Sequence, residues 1–299
     1  MTGFQPATGP VPGPRAAGGS PTDRILLVGA TGFLGSCVAA RLADRGAVAL
    51  ARPTSDRSVL PPGMEVRTGD LARPLPLDGI RTVVYCASMG FGHVPALVHQ
   101  LEASGVRRAV FLSTTAIFTH LPTASRAVRL AAEAAVQSSA LDWTILRPTM
   151  IYGTARDRNI SRLLRYLKRW PIFPLCGNAL WQPIYVEDLA SAVVAALEAP
   201  KSVGKVYNLA GAEPLRFADL VRAAAAAVGR QRLALVPVPL EAAALVATLT
   251  RVVTAEQIRR LAEDKGFSYA AAAKDFNFAP RAFAEGVRLE AKALGLAAD

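Results

Sequence analysis

A seven-residue stretch, Gly29-Ala30-Thr31-Gly32-Phe33-Leu34-Gly35, decides the fold because of what lies on either side of it. The apolar run Arg24–Val28 precedes it, and such a continuous run is typical of a central parallel strand covered by helices on both faces. A segment that predicts a helix over Phe33–Ala43 follows it. In this order the three glycines permit a tight turn, close approach of a pyrophosphate and close packing of helix on strand. The stretch therefore predicts a phosphate-binding turn at a helix N-terminus.

Apolar runs and helical segments alternate along the chain beyond this turn. Such alternation predicts right-handed crossovers between parallel strands, and hence an α/β fold with a doubly wound (Rossmann) sheet. The further strands are predicted at Ala47–Ala51, Met64–Thr68, Thr82–Cys86, Ala109–Ser113 and Trp143–Leu146, and the helices between them at Val94–Ser104 and Ser125–Ser138.

After Gly153 the alternation becomes irregular, which predicts a smaller, mainly helical C-terminal substrate lobe. We expect a disordered tail over residues 1–22 and a dinucleotide-binding domain over 23–155, to which segments around 183–212 return. Residues 156–299 are expected to form mainly the substrate lobe, with a ligand in the cleft between the two parts. The later elements are predicted as helices over Asn159–Arg169, Glu187–Glu198 and Phe217–Val228 and a strand over Val206–Leu209.

The composition excludes several classes of protein. Of the 299 residues, 52% are hydrophobic and 19% are charged, which is enough apolar surface for a sizeable core. The three cysteines are widely spaced without a CxxC pair, and there are only three histidines. This argues against a disulfide framework and against a zinc or other metal site, and it favours a reducing, cytoplasmic compartment.

No signal peptide or membrane anchor is expected. The N-terminal residues show no basic start followed by an apolar core. Residues Leu233–Val253 are strongly apolar, but Pro237, Pro239 and Glu241 interrupt them. A strand over Leu233–Pro237 followed by a buried helix explains this stretch better than a transmembrane segment, which needs about 20 mainly apolar residues.

The formal charge is +11, from 34 basic and 23 acidic residues. Arg158, Arg162, Arg165 and Arg169 are spaced to lie on one stripe of a helix. Like charges stacked in this way are mildly destabilising, so an anion is expected against them. A phosphorylated or carboxylated substrate, an acidic protein and anionic lipid are all open, as is a solvated basic face. Nucleic acid is not expected, because no aromatic residues that could stack on bases are interleaved with these arginines.

The end of the second predicted strand bears on the choice of cofactor. Proteins that bind NAD generally carry an acidic residue here for the ribose hydroxyls. This sequence has Ala49-Leu50-Ala51-Arg52-Pro53-Thr54 and no acid before Asp56. The Arg52 guanidinium can instead pair with a 2′-phosphate, so NADP(H) is favoured over NAD(H).

Several segments, taken in order, resemble the short-chain dehydrogenase/reductase superfamily, and the later ones resemble its extended branch, the NAD-dependent epimerase/dehydratase group. The resemblance runs from about Arg24 to the C-terminus and rests on the order and spacing of all the segments. These are the glycine stretch, Gly69-Asp70-Leu71, Phe111–Phe118, Ile145–Gly153, Pro183–Ala190, Val206–Gly211 and Phe276–Pro280.

The resemblance implies a binding site for a nicotinamide dinucleotide. The glycine turn would line the pyrophosphate, and Arg52 would contact the adenosine ribose. The residues after the third strand would border the adenine, those after the fourth would pass beside the nicotinamide ribose, and residues 148–151 would flank the nicotinamide ring. The residues implied are Gly29, Thr31, Gly32, Phe33, Leu34, Gly35, Arg52, Asp70, Leu71, Ala87, Ser88, Arg129 and Pro148.

The chain departs from the family's pattern in the residues that transfer a proton. The family uses a Tyr-x-x-x-Lys helix, but the two positions hold Ser125 and Arg129 here. A serine hydroxyl is too short to replace a phenol, and an arginine does not donate a proton at neutral pH. Thr114 matches the Ser/Thr position after the fifth strand. His93 and Tyr152 are the candidates to replace the tyrosine, although a surface histidine and a packing tyrosine are the simpler explanations of the two residues.

Three functions stay open. The first is an NADP(H)-dependent oxidoreductase that acts on a carbonyl or alcohol of a small, possibly anionic substrate, with Thr114, Tyr152 and His93 as catalytic candidates. The second is a non-catalytic dinucleotide-binding sensor or structural subunit, which the loss of the Tyr/Lys pair favours. A sugar-nucleotide epimerase or dehydratase is the third. It is disfavoured because the loop after the fourth strand is short and runs from Gly92 directly into the helix at Val94. Members of the family that act on sugar nucleotides tend to have a longer segment here.

Overall fold

The computed structural model describes residues 24–120, 124–239, 241 and 263–297. The predicted tail and, apart from Glu241, the helix predicted after Pro237 lie outside the described residues. The strands are β1 (Arg24–Val28), β2 (Val48–Ala51), β3 (Glu65–Thr68), β4 (Ile80–Tyr85), β5 (Arg108–Leu112), β6 (Asp142–Pro148), β7 (Ile151–Tyr152), β8 (Ile172–Leu175), β9 (Leu180–Trp181), β10 (Ile184–Tyr185), β11 (Lys205–Leu209), β12 (Leu215–Arg216) and β13 (Ala234–Pro237). The helices are α1 (Phe33–Leu42), α2 (Val94–Ala103), α3 (Ala124–Gln137), α4 (Ile160–Arg169), α5 (Val186–Glu198), α6 (Phe217–Ala227), α7 (Ala270–Phe276) and α8 (Phe283–Ala293).

Seven strands form one parallel sheet in the order β11-β6-β5-β4-β1-β2-β3. The chain moves outward from β1 to β3 and then returns to place β4 on the other side of β1. The switch between β1 and β4 opens a crevice at the carboxyl edge of the sheet, where ligands of such folds bind. The predicted doubly wound sheet is confirmed.

Helices cover both faces of this sheet. Leu27 and Val84 are buried on one face with α1 and α5, whereas Leu26 and Val83 are buried on the other with α2 and α3. Successive strand residues point to opposite faces, and both faces are apolar here. This explains why β1 is a continuous apolar run rather than an alternating one.

The second lobe is built on α4, α6 and α8, with a core that includes Leu164, Leu220 and Val287. Three two-stranded pieces complete it, formed by β7 with β10, β8 with β13 and β9 with β12. The strand predicted over Leu233–Pro237 is β13. No helix among the described residues is long and apolar enough to cross a bilayer.

Parts of the C-terminal half lie against the nucleotide-binding domain. β11 pairs with β6 in the main sheet, and α5 covers one of its faces. The segment around α7 also packs on this face of the sheet, because Ala272, Phe276 and Phe278 are buried in the same cluster as α1 and α5. This later segment therefore packs with the N-terminal sheet as well, which the periodicity of the sequence did not indicate.

Candidate functional site

The phosphate-binding turn lies at the carboxyl end of β1. Gly29 has a φ of +79°, a left-handed conformation that favours glycine, and its carbonyl accepts the Gly32 N–H at 2.9 Å. A Cβ at Gly29 would lie 2.8 Å from the Ala87 nitrogen, and a Cβ at Gly35 would overlap the Gly29 carbonyl. The turn, the loop after β4 and α1 therefore meet only because these side chains are missing.

The geometry of this turn fits the pyrophosphate of a dinucleotide. Gly32 is the N-cap residue of α1, and no side chain caps the helix. The N–H groups of the first turn are thus left for an anionic ligand, and the positive end of the helix dipole favours it. Of the other implied residues, Leu34 is buried beneath the turn, whereas Phe33 is half-buried and Thr31 presents its carbonyl to the Arg156 guanidinium at 2.6 Å.

The end of β2, where the resemblance implies the adenosine ribose, has an exposed arginine and no acid before Asp56. Arg52 follows β2 directly and is exposed. The Asp56 carboxylate accepts hydrogen bonds from the Ser58 hydroxyl at 2.6 Å and its N–H at 2.9 Å, and both lower the pKa of Asp56. This acid is therefore engaged within its own loop. Asp70 and Leu71 follow β3, which ends beside β2; the Asp70 carboxylate accepts the N–H two residues further on, and Leu71 packs against the sheet core.

The loop after β4 and the start of α3 meet beside the turn. The Ser88 hydroxyl accepts the Gly90 N–H at 3.2 Å. A Cβ at Gly90 would lie 3.3 Å from an Arg129 guanidinium nitrogen and 3.3 Å from the Ser88 hydroxyl. Arg129 therefore reaches the loop that the resemblance assigns to the nicotinamide ribose, as a lysine at this position would.

A cavity of about 730 Å³ opens at the carboxyl ends of β5 and β6, and we call it the Thr114 cavity. Thr114 lines it, and its hydroxyl accepts the Ala116 N–H at 3.1 Å, which leaves the hydroxyl proton for a ligand oxygen. Pro148 ends β6 beneath it and is buried, and its carbonyl accepts the Thr115 hydroxyl. The main lining side chains are Thr114, Phe118, His120, Thr149, Met150, Asn159, Trp181, Glu263, Lys265 and Phe267.

The residues at the Tyr and Lys positions occupy the first turns of α3. Ser125 is exposed, and its carbonyl accepts the Arg129 guanidinium at 3.4 Å. Two turns after Ser125, the buried Glu133 carboxylate forms an ion pair with Arg147 of β6, and its Oε1 lies 3.0 Å from the Arg147 Nε. That pair fixes α3 against the sheet, so the position of the helix is retained although its proton-transfer residues are not.

The expectation that Tyr152 faces the cleft is wrong. Its ring is fully buried between Tyr185 and Phe283, and its hydroxyl lies 3.5 Å from the Phe283 carbonyl oxygen. A Cβ at Gly286 of α8 would lie 2.9 Å from the Tyr152 ring, so α8 covers it closely. Burial raises the pKa of Tyr152 far above its usual value, because the phenolate would lose its hydration. The residue is a packing tyrosine of the second lobe.

The candidate His93 and a second histidine, His120, are placed differently relative to the Thr114 cavity. His93 precedes α2 and does not line the Thr114 cavity. His120, which follows β5 by eight residues, does line it, and its backbone N–H is held by the Glu263 carboxylate at 3.0 Å. No motif in the sequence marks His120 as a site residue.

A segment far along the chain closes one side of the Thr114 cavity. The Glu263 carboxylate accepts the Thr119 hydroxyl at 2.8 Å, and the Phe267 ring stacks on Phe118 at 5.6 Å. Lys265 lies over the Trp181 ring, with its Nζ 3.9 Å from the ring centroid. Residues 263–267 carry no sequence signal for this site, because only the fold brings them to β5.

The arginine stripe is divided between two environments. Arg158, Arg162 and Arg165 line a second cavity of about 710 Å³, together with Arg156, Ile151 and Phe33 of the glycine turn, and we call it the arginine pocket. Arg169, at the end of α4, instead stacks its guanidinium over Trp170 at 5.4 Å. Among the described residues no cluster of histidine, cysteine or acidic residues could hold a metal ion.

Residues 29–168 match a protein-family model described as NAD(P)H-binding. The chain is 29% identical over 215 residues to subunit 9 of the NADH dehydrogenase [ubiquinone] 1 alpha subcomplex of Arabidopsis thaliana, a match that spans 62% of this chain and about half (53%) of that subunit. It is 23% identical over 261 residues to a UDP-glucose 4-epimerase of Vibrio cholerae, covering 72% and 79% of the two chains. It is 29% identical over 215 residues to a (4-alkanoyl-5-oxo-2,5-dihydrofuran-3-yl)methyl phosphate reductase of Streptomyces griseus, covering 69% and 74%.

Solved structures share the fold over nearly the whole described chain. A nucleoside-diphosphate-sugar epimerase of Pseudomonas aeruginosa superimposes with a TM-score of 0.74 at 18% identity, covering 91% of this chain and 97% of that one. A Thermus thermophilus UDP-glucose 4-epimerase in complex with NAD gives 0.68 at 22% identity, covering 91% and 99%. With the family match and the motifs, they identify an NAD(P)-binding Rossmann protein. Residues 29–168 thus match an NAD(P)H-binding family, and the chain shares the fold of the epimerase-type structures and resembles the extended short-chain dehydrogenase/reductase superfamily.

Proposed function

We propose that the protein binds NADP(H) at the glycine turn and is an oxidoreductase acting on a carbonyl or alcohol carbon of a small substrate in the Thr114 cavity. The observation that carries the proposal is the cavity itself, which adjoins the carboxyl ends of β5 and β6 and contains Thr114. The bound nicotinamide would supply or accept the hydride. The free thiols Cys37, Cys86 and Cys176 support the proposed reducing, cytoplasmic compartment.

This chain's own residues would bind the substrate oxygen and provide its proton. The Thr114 hydroxyl donates a hydrogen bond to the oxygen, since its own lone pair is engaged by the Ala116 N–H. His120 lines the same cavity, and histidine is the side chain that most often transfers protons in catalysis, so His120 is our candidate for the proton donor in reduction. Arg129 holds the cofactor side of the site without exchanging a proton.

The first prediction concerns the cofactor. NADPH is expected to bind at least about tenfold more tightly than NADH, a difference of about 1.4 kcal/mol, because Arg52 is exposed where the ribose-binding acid is missing. Calorimetric titration with both dinucleotides measures this. Arg52→Ala should remove the difference, whereas Arg57→Ala, five residues further along, should preserve it. Equal affinities in the native chain would contradict the assignment.

The second prediction concerns turnover. Thr114→Val and His120→Gln should each lower carbonyl reduction at least about tenfold, because one loses the hydrogen bond to the reacting oxygen and the other the proton donor. His93→Gln and Ser125→Ala are matched controls and should stay within about threefold. Tyr152→Phe should also stay within threefold, since its hydroxyl is buried away from the cavity. If a control variant loses activity and His120→Gln does not, the proton donor is a group other than His120.

A non-catalytic dinucleotide-binding subunit is the second candidate. The Ser125 and Arg129 positions favour it, and so does the similarity to a subunit of NADH dehydrogenase. Ser125→Tyr with Arg129→Lys restores the family's pair and separates the candidates. If native chain and double variant both bind NADPH, yet neither reduces any of a panel of phosphorylated and carboxylated aldehydes and ketones, the oxidoreductase proposal fails and this one replaces it.

The third candidate, a sugar-nucleotide epimerase, is supported by the similarity to UDP-glucose 4-epimerase. Ser125 disfavours this candidate. Epimerisation through a ketone requires a group that removes the hydroxyl proton, and the tyrosine that does so in the family is replaced by this serine. Conversion of UDP-glucose to UDP-galactose by the native chain would establish this candidate over the first.

A further inference from the structure

The arginine pocket is a cavity with an excess of positive charge. Arg158, Arg162 and Arg165 all line it, and all three are exposed. Among the described residues, no ion pair involves any of these three arginines. Three guanidinium groups that face one cavity without carboxylate partners repel each other, and an anionic ligand would offset that repulsion.

Asp157 is the one acidic residue among the described residues that line the pocket, and its carboxylate is engaged elsewhere. Asp157 is buried, and its carboxylate accepts the N–H groups of Asn159 at 2.6 Å, Ile160 at 3.0 Å and Ser161 at 3.1 Å. It therefore caps α4 and satisfies the amides at the helix N-terminus. Within the described part of the chain this carboxylate forms no ion pair with the arginines, and the helix end itself is not what would attract a ligand.

The acidic residue behind the pocket is buried as well. Glu290 of α8 is fully buried, and neither of its carboxylate oxygens has a hydrogen-bond partner within the described part of the chain. Burial and the nearby charge of Asp157 raise the pKa of Glu290 to about 9, so it is uncharged at neutral pH. It too leaves the positive charge of the arginines without compensation.

Arg156 forms the wall between the pocket and the glycine turn. Its guanidinium donates to the Thr31 carbonyl at 2.6 Å, the Gly32 carbonyl at 3.3 Å and the Ser36 hydroxyl at 3.0 Å. These bonds tie the second lobe to the outside of the turn. Asn159 lines both this pocket and the Thr114 cavity, so the two sites adjoin.

We propose that Arg158, Arg162 and Arg165 form a binding site for a phosphorylated small molecule, separate from the dinucleotide site. The guanidinium fork suits phosphate oxygens, and a volume of about 710 Å³ admits a phosphoryl group with an organic part. The phosphate is that of a free phosphorylated metabolite, and competition with NADPH tests whether the site is separate from the dinucleotide. The site does not depend on the proposed redox activity.

The test is calorimetric binding of inorganic pyrophosphate to the full chain saturated with NADPH. We expect pyrophosphate binding that persists at saturating NADPH. Its affinity should fall at least tenfold in the double variant Arg158→Gln/Arg162→Gln. The single variant Arg165→Gln should also weaken it. Arg169→Gln, on the same helix but stacked on Trp170, is the matched control and should stay within twofold. NADPH affinity and thermal midpoint should be unchanged in all variants, because the three side chains are exposed.

Three results would overturn the proposal. The first is no pyrophosphate binding to the native chain, and the second is binding that NADPH abolishes, which would assign the phosphate to the dinucleotide. The third is an equal loss in Arg169→Gln, which would show a general effect of surface charge. Each can occur whether or not the chain reduces a carbonyl, so failure of this site and failure of the proposed function are distinguishable.

Discussion

Gly35→Ala is expected to lower the free energy of unfolding by about 3 kcal/mol and to abolish NADPH binding. In an ordinary helix interior, alanine is more favourable than glycine by up to about 1 kcal/mol. Here the sign reverses, because the new methyl group would overlap the Gly29 carbonyl oxygen and lie 2.8 Å from its carbon and 3.1 Å from the Ala30 Cα. These are backbone atoms, so α1 or the turn must move to admit the methyl group.

Urea unfolding of the two chains measures the loss of stability, and calorimetry measures the loss of cofactor binding. Gly266→Ala is the matched control, since a Cβ there would make ordinary contacts at 3.5 Å with the Pro214 side chain. Its stability should stay within about 1 kcal/mol of the native chain. A Gly35→Ala protein as stable as the native one would show that α1 does not sit on the turn as described.

Glu290→Gln is expected to remove a large pH dependence of stability. Burial, with the nearby Asp157 charge, raises the pKa of Glu290 from its usual 4.5 to about 9 in the folded chain. Between these two values the folded state holds a proton that the unfolded state releases, so stability falls as pH rises through this window. The contribution is fully present below about pH 4.5 and is lost by about pH 9. The Arg165 charge opposes this rise in the pKa of Glu290, and Glu290 in turn acts on Tyr152 and Tyr185.

At about 1.4 kcal/mol per pH unit, we expect the native chain to lose about 4 kcal/mol more than Glu290→Gln between pH 5 and pH 8. The amide carries no charge and has nearly the size and shape of the protonated acid. Urea unfolding at both pH values measures the difference. Glu285→Gln, on the exposed side of the same helix, should follow the native chain within about 0.5 kcal/mol. Equal pH slopes for native and Glu290→Gln proteins would mean that Glu290 is ionised in the fold.

These two predictions bear on different parts of the proposed site. Gly35 maintains the turn that would hold the pyrophosphate, whereas Glu290 lies behind the arginine pocket. A protein that has lost Tyr-x-x-x-Lys chemistry but retains the turn is expected to keep cofactor binding even if turnover is slow. Binding and turnover therefore have to be measured separately for every variant.

Much of the site could be predicted because its signals are local. The spacing of Gly29, Gly32 and Gly35 between an apolar run and a helix determines a turn, since backbone conformation and helix capping depend on neighbouring residues. The alternation of strands and helices likewise determines a parallel sheet, because side-chain periodicity and crossover handedness are short-range properties. The missing Tyr/Lys pair is visible in the sequence for the same reason.

Only the tertiary structure decided which side chains share a cavity. Tyr152 follows a motif that indicated the cleft, but α8, more than 130 residues later in the chain, covers its hydroxyl. His120 carries no motif, yet Glu263 and Phe267 fold beside it at the Thr114 cavity. The four arginines look equivalent at helical spacing, and the packing of α4 places three in one pocket and the fourth on Trp170. Such contacts join residues that are distant in sequence, so they depend on how whole elements pack, which local periodicity does not encode.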